Sequence, residues 1–259
     1  PKEATQIFVA GILVGQGKAW YDNFKVLIDG KDIRGLKRVE KEVAKATLDK
    51  EFDSGSKFSL GSVSKEQLEN LYWLAKVWGF LKYHHPHIAA GDINWDYELF
   101  RILPAIHEEG FDLAVLNWAQ QLGEVEKAEP AESDLELKLQ PSTGWLQPQG
   151  LLSSELVQYL KEVQAAARES KSYYLTFAPN IGNPQFKNEK AYKDIPSSDD
   201  GFRLLSLFRY WNMIEYFFPY KHLMDEDWET VLRSSLPIFA EAKEPLAYKL
   251  ATLQLIGKI

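Results

Sequence analysis

The sequence contains a long internal repeat, and this repeat limits the folds that the chain can adopt. Residues 71–106 align with residues 204–239 without a gap at a shift of 133 positions, and ten of the 36 aligned pairs are identical. Composition alone would give only about two or three identities. The identical pairs are Leu71/Leu204, Leu74/Leu207, Trp78/Trp211, Tyr83/Tyr216, Pro86/Pro219, Asp92/Asp225, Trp95/Trp228, Leu99/Leu232, Leu103/Leu236 and Pro104/Pro237. A repeat that keeps Trp, Leu and Pro but not most of its charged residues predicts a structural scaffold.

The first helix of each copy has recognisable boundary signals. Ser64 and Gln67 form a capping-box pattern, after which apolar residues recur at spacings of three and four. Pro86 predicts the end of this helix, because the residue before a proline avoids the α region. In the second copy, Ser197 and Asp200 resemble another capping box.

Two further helices are predicted in each copy. Asn94 and its counterpart Asp227 stand where a second helix needs an N-cap residue. Asp112 and Pro245 are the expected starts of a third helix. Each copy is therefore predicted to contain about three helices.

The N-terminal residues predict β-structure. Residues 5–14 form an apolar run, residues 15–17 a turn, and residues 18–28 alternate in polarity. Asp29-Gly30 is a hairpin signal, because both residues tolerate positive φ. Since two or three strands alone are marginally stable, we interpret them as the end of a β-sandwich.

Together these patterns predict an α+β chain that is mainly α-helical, with two related three-helix repeats, a small mixed insert and a preceding β-hairpin. The predicted divisions are β-strands at 1–35, a connector at 36–63, the first helical repeat at 64–126, the mixed insert at 127–196 and the second helical repeat at 197–259. Within the insert we expect strands at 135–139 and 173–177, a helix near 154–167 and a long polar loop at 180–196.

Composition and charge argue against several functional classes. A net charge of −7 argues against a nucleic-acid-binding surface, which needs a basic patch. The chain has no cysteine, so disulfides and thiolate metal sites are excluded. The longest apolar run, residues 7–14, is far shorter than the roughly 20 residues of a membrane-spanning helix. We prefer a strand to a signal peptide there, because Glu3 removes the positively charged start. A start at Pro1 rather than Met predicts processing or excision from a longer chain.

Three histidines, His84, His85 and His87, form the stretch most suggestive of a metal site. The second copy has two Phe and one Tyr at the same three positions. Positions that accept either His or Phe favour rings packed at a helix end. We therefore predict no metal ligand here and keep metal-dependent hydrolysis as the weaker hypothesis.

Other catalytic patterns are also incomplete. The acidic residues at 92, 199–200 and 225–227 lie at predicted helix starts, which favours capping over paired acid/base chemistry. Residues 11–18 lack the full phosphate-binding pattern. No Gly-x-Ser-x-Gly pattern occurs. A serine–lysine pair formed in space stays open. We predict no catalytic residue and no cofactor site.

Four aromatic residues are candidates for contacting a ligand. Trp20 and Tyr21 lie on opposite faces of the predicted N-terminal strand, and Trp145 and Tyr220 lie in predicted loops. A core position is favoured for Trp20, because it shares its face with Phe24. Exposure of Trp20, Trp145 or Tyr220 in a groove would favour a carbohydrate- or protein-binding module.

The chain resembles the N-terminal, non-catalytic region of a bacterial group of carboxy-terminal-processing (tail-specific, tricorn-like) serine peptidases. Five stretches between about residue 45 and residue 259 carry the resemblance: Asp49-Lys-Glu-Phe-Asp-Ser-Gly-Ser56, Trp78-Gly-Phe-Leu-Lys-Tyr83 with His85-Pro86, Asn94-Trp-Asp96, Asn183-Pro-Gln-Phe-Lys-Asn-Glu189, and Phe208-Arg-Tyr-Trp-Asn212 through Lys221. Separately, residues 17–24 are similar to the last strand of jelly-roll, carbohydrate-binding-like modules.

This resemblance implies an accessory or scaffold region of an exported, extracytoplasmic peptidase. Family members continue into a PDZ-like module and a peptidase domain with a Ser-Lys pair, neither of which this chain reaches. No catalytic residue is therefore assigned to it. The implied partners are those two domains of the same natural chain and a polypeptide substrate; a polysaccharide is the partner of the alternative, carbohydrate-binding function. The region alone is expected not to cleave peptide bonds.

Overall fold

A computed structural model describes residues 10–36, 43–128, 143–167 and 172–259. The chain divides into two compact units, residues 1–42 and residues 43–259. The predicted mainly helical α+β class is confirmed. The predicted strand at 135–139 and the start of the predicted run at 5–14 lie outside the described residues. Residues 10–14 of that run form no strand and are exposed, so the buried strand predicted there is wrong.

In the first unit, the predicted hairpin turn is confirmed. Strands β1 (Leu27–Ile28) and β2 (Lys31–Asp32) pair antiparallel, with Leu27 opposite Asp32 and Ile28 opposite Lys31. Asp29 and Gly30 between them have φ values of 50° and 77°. Such a two-residue turn with positive φ matches the twist of the paired strands.

The longer strand predicted at residues 18–28 is wrong, because only Leu27 and Ile28 pair. Trp20 is 88% exposed, so its predicted core position is wrong as well. Alternating polarity can only stabilise a strand that has a hydrogen-bonded neighbour and a buried face. Residues 18–26 have no strand neighbour among the described residues.

The second unit is built from helices, with one small hairpin. Its helices are α1 (Lys65–His84), α2 (Pro86–Ala90), α3 (Trp95–Glu108), α4 (Phe111–Gln120), α5 (Ser154–Gln164), α6 (Asp200–Phe217), α7 (Trp228–Glu241) and α8 (Pro245–Ile256). Strands β3 (Leu175–Phe177) and β4 (Pro184–Phe186) pair antiparallel; β4 lies inside the stretch predicted to be a polar loop. None of the described helices combines the length and the apolar character needed to cross a lipid bilayer.

Helices α1, α3 and α4 correspond to α6, α7 and α8, so both copies of the repeat have the same fold. The boundary signals largely agree with the structure: Ser64 and Gln67 form the capping box, and α1 ends just before Pro86. The second predicted capping box is wrong. The N-cap of α6 is Asp199, which accepts a hydrogen bond from Phe202 N, whereas the Ser197 carbonyl accepts one from Arg203.

A reciprocal pair of hydrogen bonds joins the two tryptophans of each copy. Trp78 Nε1 donates to the Trp95 carbonyl at 3.0 Å, and Trp95 Nε1 donates to the Trp78 carbonyl at 2.9 Å. Trp211 and Trp228 repeat this exchange at 2.7 and 3.0 Å. All four rings are buried. Each exchange fixes the first helix of a copy against the second, and gives two buried indole N–H groups their partners.

The two copies meet through equivalent residues, as the halves of a two-fold symmetric dimer would. Gly79 of α1 lies against its counterpart Asn212 of α6, and Tyr83 contacts its counterpart Tyr216 with ring centroids 5.6 Å apart. Asn212 Nδ2 donates to the carbonyls of Ala75 and Phe208, which are themselves equivalent. The copies are therefore related by an approximate two-fold axis that passes between α1 and α6.

The insert and the predicted connector complete this unit. Helix α5 confirms the helix predicted near 154–167 and packs on α4. Residues 43–63 belong to the same compact unit as the helices, and Phe52 is part of its core. Ser56 is fixed to the start of α6, because its backbone N–H and its hydroxyl both donate to Asp199.

We expect Gly79→Ala to destabilise the helical unit by about 2–4 kcal/mol, because the added carbon would lie 1.8 Å from Asn212 Oδ1. The buried Asn212 amide would have to move away from its two carbonyl partners. The control is Gly257→Ala, where the nearest atom is 3.4 Å away and φ is −72°. Urea unfolding measures both.

The exchange variant Gly79→Asn/Asn212→Gly tests the two-fold relation directly. An amide at position 79 can donate to the same two carbonyls, so we expect the exchange to recover most of the stability that Gly79→Asn alone loses. A double variant no more stable than that single variant would contradict the symmetric crossing.

Candidate functional site

Four charged side chains, two buried and two largely buried, form one cluster between the two copies. The four-charge cluster consists of Lys82, Asp96, Glu189 and Arg209. Lys82 Nζ lies 2.6 Å from Glu189 and 3.9 Å from Asp96. Arg209 pairs with Asp96 through Nη2 and with Glu189 at 2.9 Å. Two cations and two anions compensate one another, which allows four charges to be buried together.

Four separate segments of the chain bring these charges together. Lys82 is near the end of α1, Asp96 is in the first turn of α3, Arg209 is on α6, and Glu189 follows β4. The Lys82 ammonium also lies 4.9 Å from the centroid of the Trp78 ring, so part of its environment is aromatic.

The neighbours of the cluster shift its pKa values. Burial lowers the pKa of Lys82, against the opposing charges of Glu189 and Asp96. Burial alone would raise the pKa of Asp96, but the positive charges of Arg209 and Lys82, with hydrogen bonds from Arg209 and Tyr192, outweigh it and hold that pKa below its ordinary value. Asp96 is therefore a buried carboxylate that stays ionised near neutral pH.

An ion pair between the two copies occurs twice, at equivalent positions of the repeat. Lys76 and Glu229 are the repeat counterparts of Arg209 and Asp96, and they also pair. In both pairs the cation is on the first helix of one copy and the acid is in the first turn of the second helix of the other. An aromatic ring covers each cation at 5.2 Å: Tyr192 over Arg209 and Trp145 over Lys76.

Sequence reasoning missed these charges because it compared identities. Both pairs change residue between copies, Lys to Arg and Asp to Glu, while keeping the sign of the charge. Counting similar charges as matches would have marked both positions. Glu189 and Tyr192 gave no repeat signal, since they belong to the insert.

A cavity of about 350 Å³ opens beside the four-charge cluster. Its walls are residues 46–53, the N-terminus of α3, and the strand and loop residues 173–192. The lining residues are Ala46, Thr47, Asp49, Lys50, Asp53, Asn94, Asp96, Tyr97, Tyr173, Tyr174, Asn188, Glu189, Lys190 and Tyr192. The volume falls within the range of small-molecule sites, roughly 300–1,000 Å³.

The four predicted aromatic candidates do not come together in this cavity. Trp20 and Tyr21 are exposed in the first unit, and Tyr220 is exposed after α6. Trp145 is 8% exposed and lies over Lys76, so its ring is a packing element. Tyr220 contacts the rings of Phe218 and His222.

The predicted histidine stretch divides among three environments. His84 Nδ1 lies 2.9 Å from the Phe80 carbonyl, His85 is buried with Nε2 3.1 Å from the Tyr159 hydroxyl, and His87 pairs with Asp92. Over the parts of the chain that the structure describes, no three His, Asp or Glu side chains group as metal ligands would. Burial, and then the nearby His87, lowers the pKa of His85 to about 4.

An apolar stripe is exposed on α8. The α8 face consists of Leu246, Leu250 and Leu253, which recur at helical spacing and are 69%, 51% and 64% exposed. The counterpart helix α4 has Leu113, Asn117 and Gln120 at the same positions, so the first copy is more polar there. Helix α4 also packs on α5, a helix of the insert that follows the first copy.

Comparison of the chain with protein-family models, characterised proteins and solved structures finds no match.

We expect Asp96→Asn to cost about 3–5 kcal/mol at pH 7, because it leaves Lys82 and Arg209 with one buried anion between them. The matched control is Glu229→Gln at the equivalent pair. The Glu229 side chain is 45% exposed, so we expect this variant to lose less than about 2 kcal/mol of stability. Because the folded pKa of Asp96 is lowered, its stabilisation is present above the unfolded pKa and lost as pH falls through the folded value. Denaturant unfolding at pH 7 and below measures both effects; equal losses for the two variants would contradict this account.

His85→Phe should remove part of the acid sensitivity of the fold. The folded pKa of about 4 lies below the ordinary value, so protons bind preferentially to the unfolded state and stability falls as pH decreases from about 6.5 to 4. The variant carries Phe, as the repeat counterpart Phe218 does. We expect its free energy of unfolding to fall by about 2 kcal/mol less over that pH interval. An unchanged pH profile of the free energy of unfolding would contradict the prediction.

Proposed function

We propose that residues 43–259 form a non-catalytic accessory region of a longer, exported serine peptidase, and that they hold a neighbouring domain through the α8 face. The observation that carries this proposal is the exposed leucine stripe on the last helix of the repeat. The proposed occupant is the PDZ-like and peptidase portion of the same natural chain, which acts on polypeptide substrates. The motifs between residues 49 and 221 support the choice of this family.

The comparison between the two copies supports a contact role for the α8 face. The two helices occupy equivalent positions in the repeat, yet α8 has Leu250 and Leu253 where α4 has Asn117 and Gln120. Fully burying a leucine side chain contributes roughly 1.5–3 kcal/mol, so covering these three leucines would favour domain contact. Exposed apolar stripes of this kind are typical of protein interfaces.

The environments of two linker serines support a non-catalytic role. Ser56 is buried, and its hydroxyl donates to Asp199 at 2.5 Å. The Ser64 hydroxyl accepts a hydrogen bond from Gln67 N in the capping box of α1. Both serines therefore stabilise helix starts, whereas a nucleophile must reach a substrate.

Substituting the α8 face with the residues of α4 tests the proposal. We expect Leu250→Asn/Leu253→Gln to lower the melting temperature of the full natural polypeptide by roughly 5 °C, because the neighbouring domain loses its apolar contact. In the 259-residue chain the same variant should leave the melting temperature unchanged. Calorimetry of both proteins provides the comparison.

Equal effects of the variant in the two proteins would refute docking on this face.

The reading frame that follows Ile259 is an independent check. We expect it to encode a peptidase domain with a serine and a lysine, and a stop codon there would overturn the proposed function.

A further inference from the structure

We propose that the cavity beside the four-charge cluster binds a neutral, polyhydroxylated small molecule of the mono- or disaccharide class. This site lies within the helical unit and is separate from the α8 face. It does not include Trp20, Tyr21, Trp145 or Tyr220, and its binding can be tested whether or not the docking proposal holds.

The cavity has aromatic walls, which suit a sugar ring. Four tyrosines line it: Tyr173 and Tyr192 are partly exposed, whereas Tyr97 and Tyr174 are almost fully buried and bring little ring surface to it. The hydroxyls of three are already used: Tyr97 donates to Asp53, Tyr192 donates to Asp96, and Tyr174 accepts from Trp95 N. Within the described residues, the Tyr173 hydroxyl makes no hydrogen bond. A sugar presents both C–H faces and hydroxyl edges, which match aromatic rings with polar groups between them.

The charges around the cavity favour a neutral ligand. Each carboxylate on its wall already has a cationic partner: Asp49 pairs with Arg101, Asp53 with Lys190, and Asp96 and Glu189 with the cations of the four-charge cluster. A charged ligand would have to break one of these pairs or remain uncompensated at a partly buried site, and either is costly. Paired carboxylates nevertheless keep free lone pairs that can accept hydrogen bonds from hydroxyl groups.

The first copy departs from the repeat at the cavity. Asp227 caps α7 by accepting a hydrogen bond from Thr230 N at 3.1 Å. Its counterpart Asn94 is the N-cap residue of α3 but makes no side-chain capping bond, and it lines the cavity instead. An amide at this place can both donate to and accept from a ligand hydroxyl.

One residue of the loop that forms a wall is held in a backbone conformation that its side chain disfavours. Tyr192 has a φ value of 47°. Positive φ is rare for a bulky residue and tends to occur at functional sites, where the surrounding contacts enforce it. Here Arg209 donates to the Lys190 carbonyl at 2.8 Å, and Glu189 is tied to the buried cations. The structure thus fixes this wall before any ligand arrives.

Titration of the 259-residue protein with defined sugars tests the site. The neutral probes are glucose, N-acetylglucosamine, cellobiose and diacetylchitobiose, and the charged probes are glucuronate and glucosamine. We expect at least one neutral probe to bind with a dissociation constant of roughly 10 μM to 1 mM, and its charged relatives about tenfold more weakly or not at all. Calorimetry and saturation-transfer NMR supply the measurement.

Variants separate binding at this site from binding elsewhere. Asn94→Ala should weaken binding about tenfold without lowering the melting temperature, because no capping bond is lost. Asp227→Ala should do the opposite, lowering the melting temperature and leaving binding intact. Tyr173→Phe, which keeps the ring, should weaken binding several-fold.

Three outcomes would overturn the proposal. The first is no saturable binding of any neutral probe up to about 20 mM. The second is tighter binding of a charged probe than of its neutral relative. The third is binding that Asn94→Ala and Tyr173→Phe leave unchanged.

Discussion

The exchange of indole hydrogen bonds between two tryptophans is the interaction on which the helical unit depends. In each copy, the indole N–H of the first tryptophan, Trp78 or Trp211, donates to the backbone carbonyl of the second. The indole N–H of the second tryptophan donates to the backbone carbonyl of the first. A buried indole N–H without a partner is costly, so the exchange allows two large rings to fill each core and fixes the angle between two helices. The 17-residue spacing, with a proline between the tryptophans, makes the same exchange possible twice.

Joining the two copies through equivalent residues has an electrostatic consequence. The cross-copy ion pair occurs twice, so the cation at position 76 or 209 meets an acid of the other copy in both halves. The insert makes the halves unequal. Glu189 and Tyr192 bury one pair and, with residues 46–53, enclose the cavity beside it, whereas Trp145 covers the other pair. The symmetric scaffold therefore carries an asymmetric site.

Local signals predicted the helices well and the first unit poorly. Ser64 with Gln67, Pro86, Asp227 and the Asp29-Gly30 turn act through neighbouring backbone groups, so a short stretch of sequence contains all the information needed. The strand predicted around Trp20 is wrong, because a strand requires a hydrogen-bonded neighbour that polarity alternation does not supply. Ser197 illustrates a smaller error: Asp199, two residues later, has the side chain that reaches the free N–H groups of α6.

The sequence by itself determined the repeat, the mainly helical class, most helix boundaries and the burial of the shared tryptophans, because these follow from periodicity and local capping. Only the tertiary structure decided that α1 and α6 cross at Gly79 and Asn212, and that Lys82, Asp96, Glu189 and Arg209 meet. Those partners are separated by up to 133 positions, and their pairing depends on how whole helices pack. Coulombic and hydrogen-bond partners at such separations leave no periodic pattern along the chain.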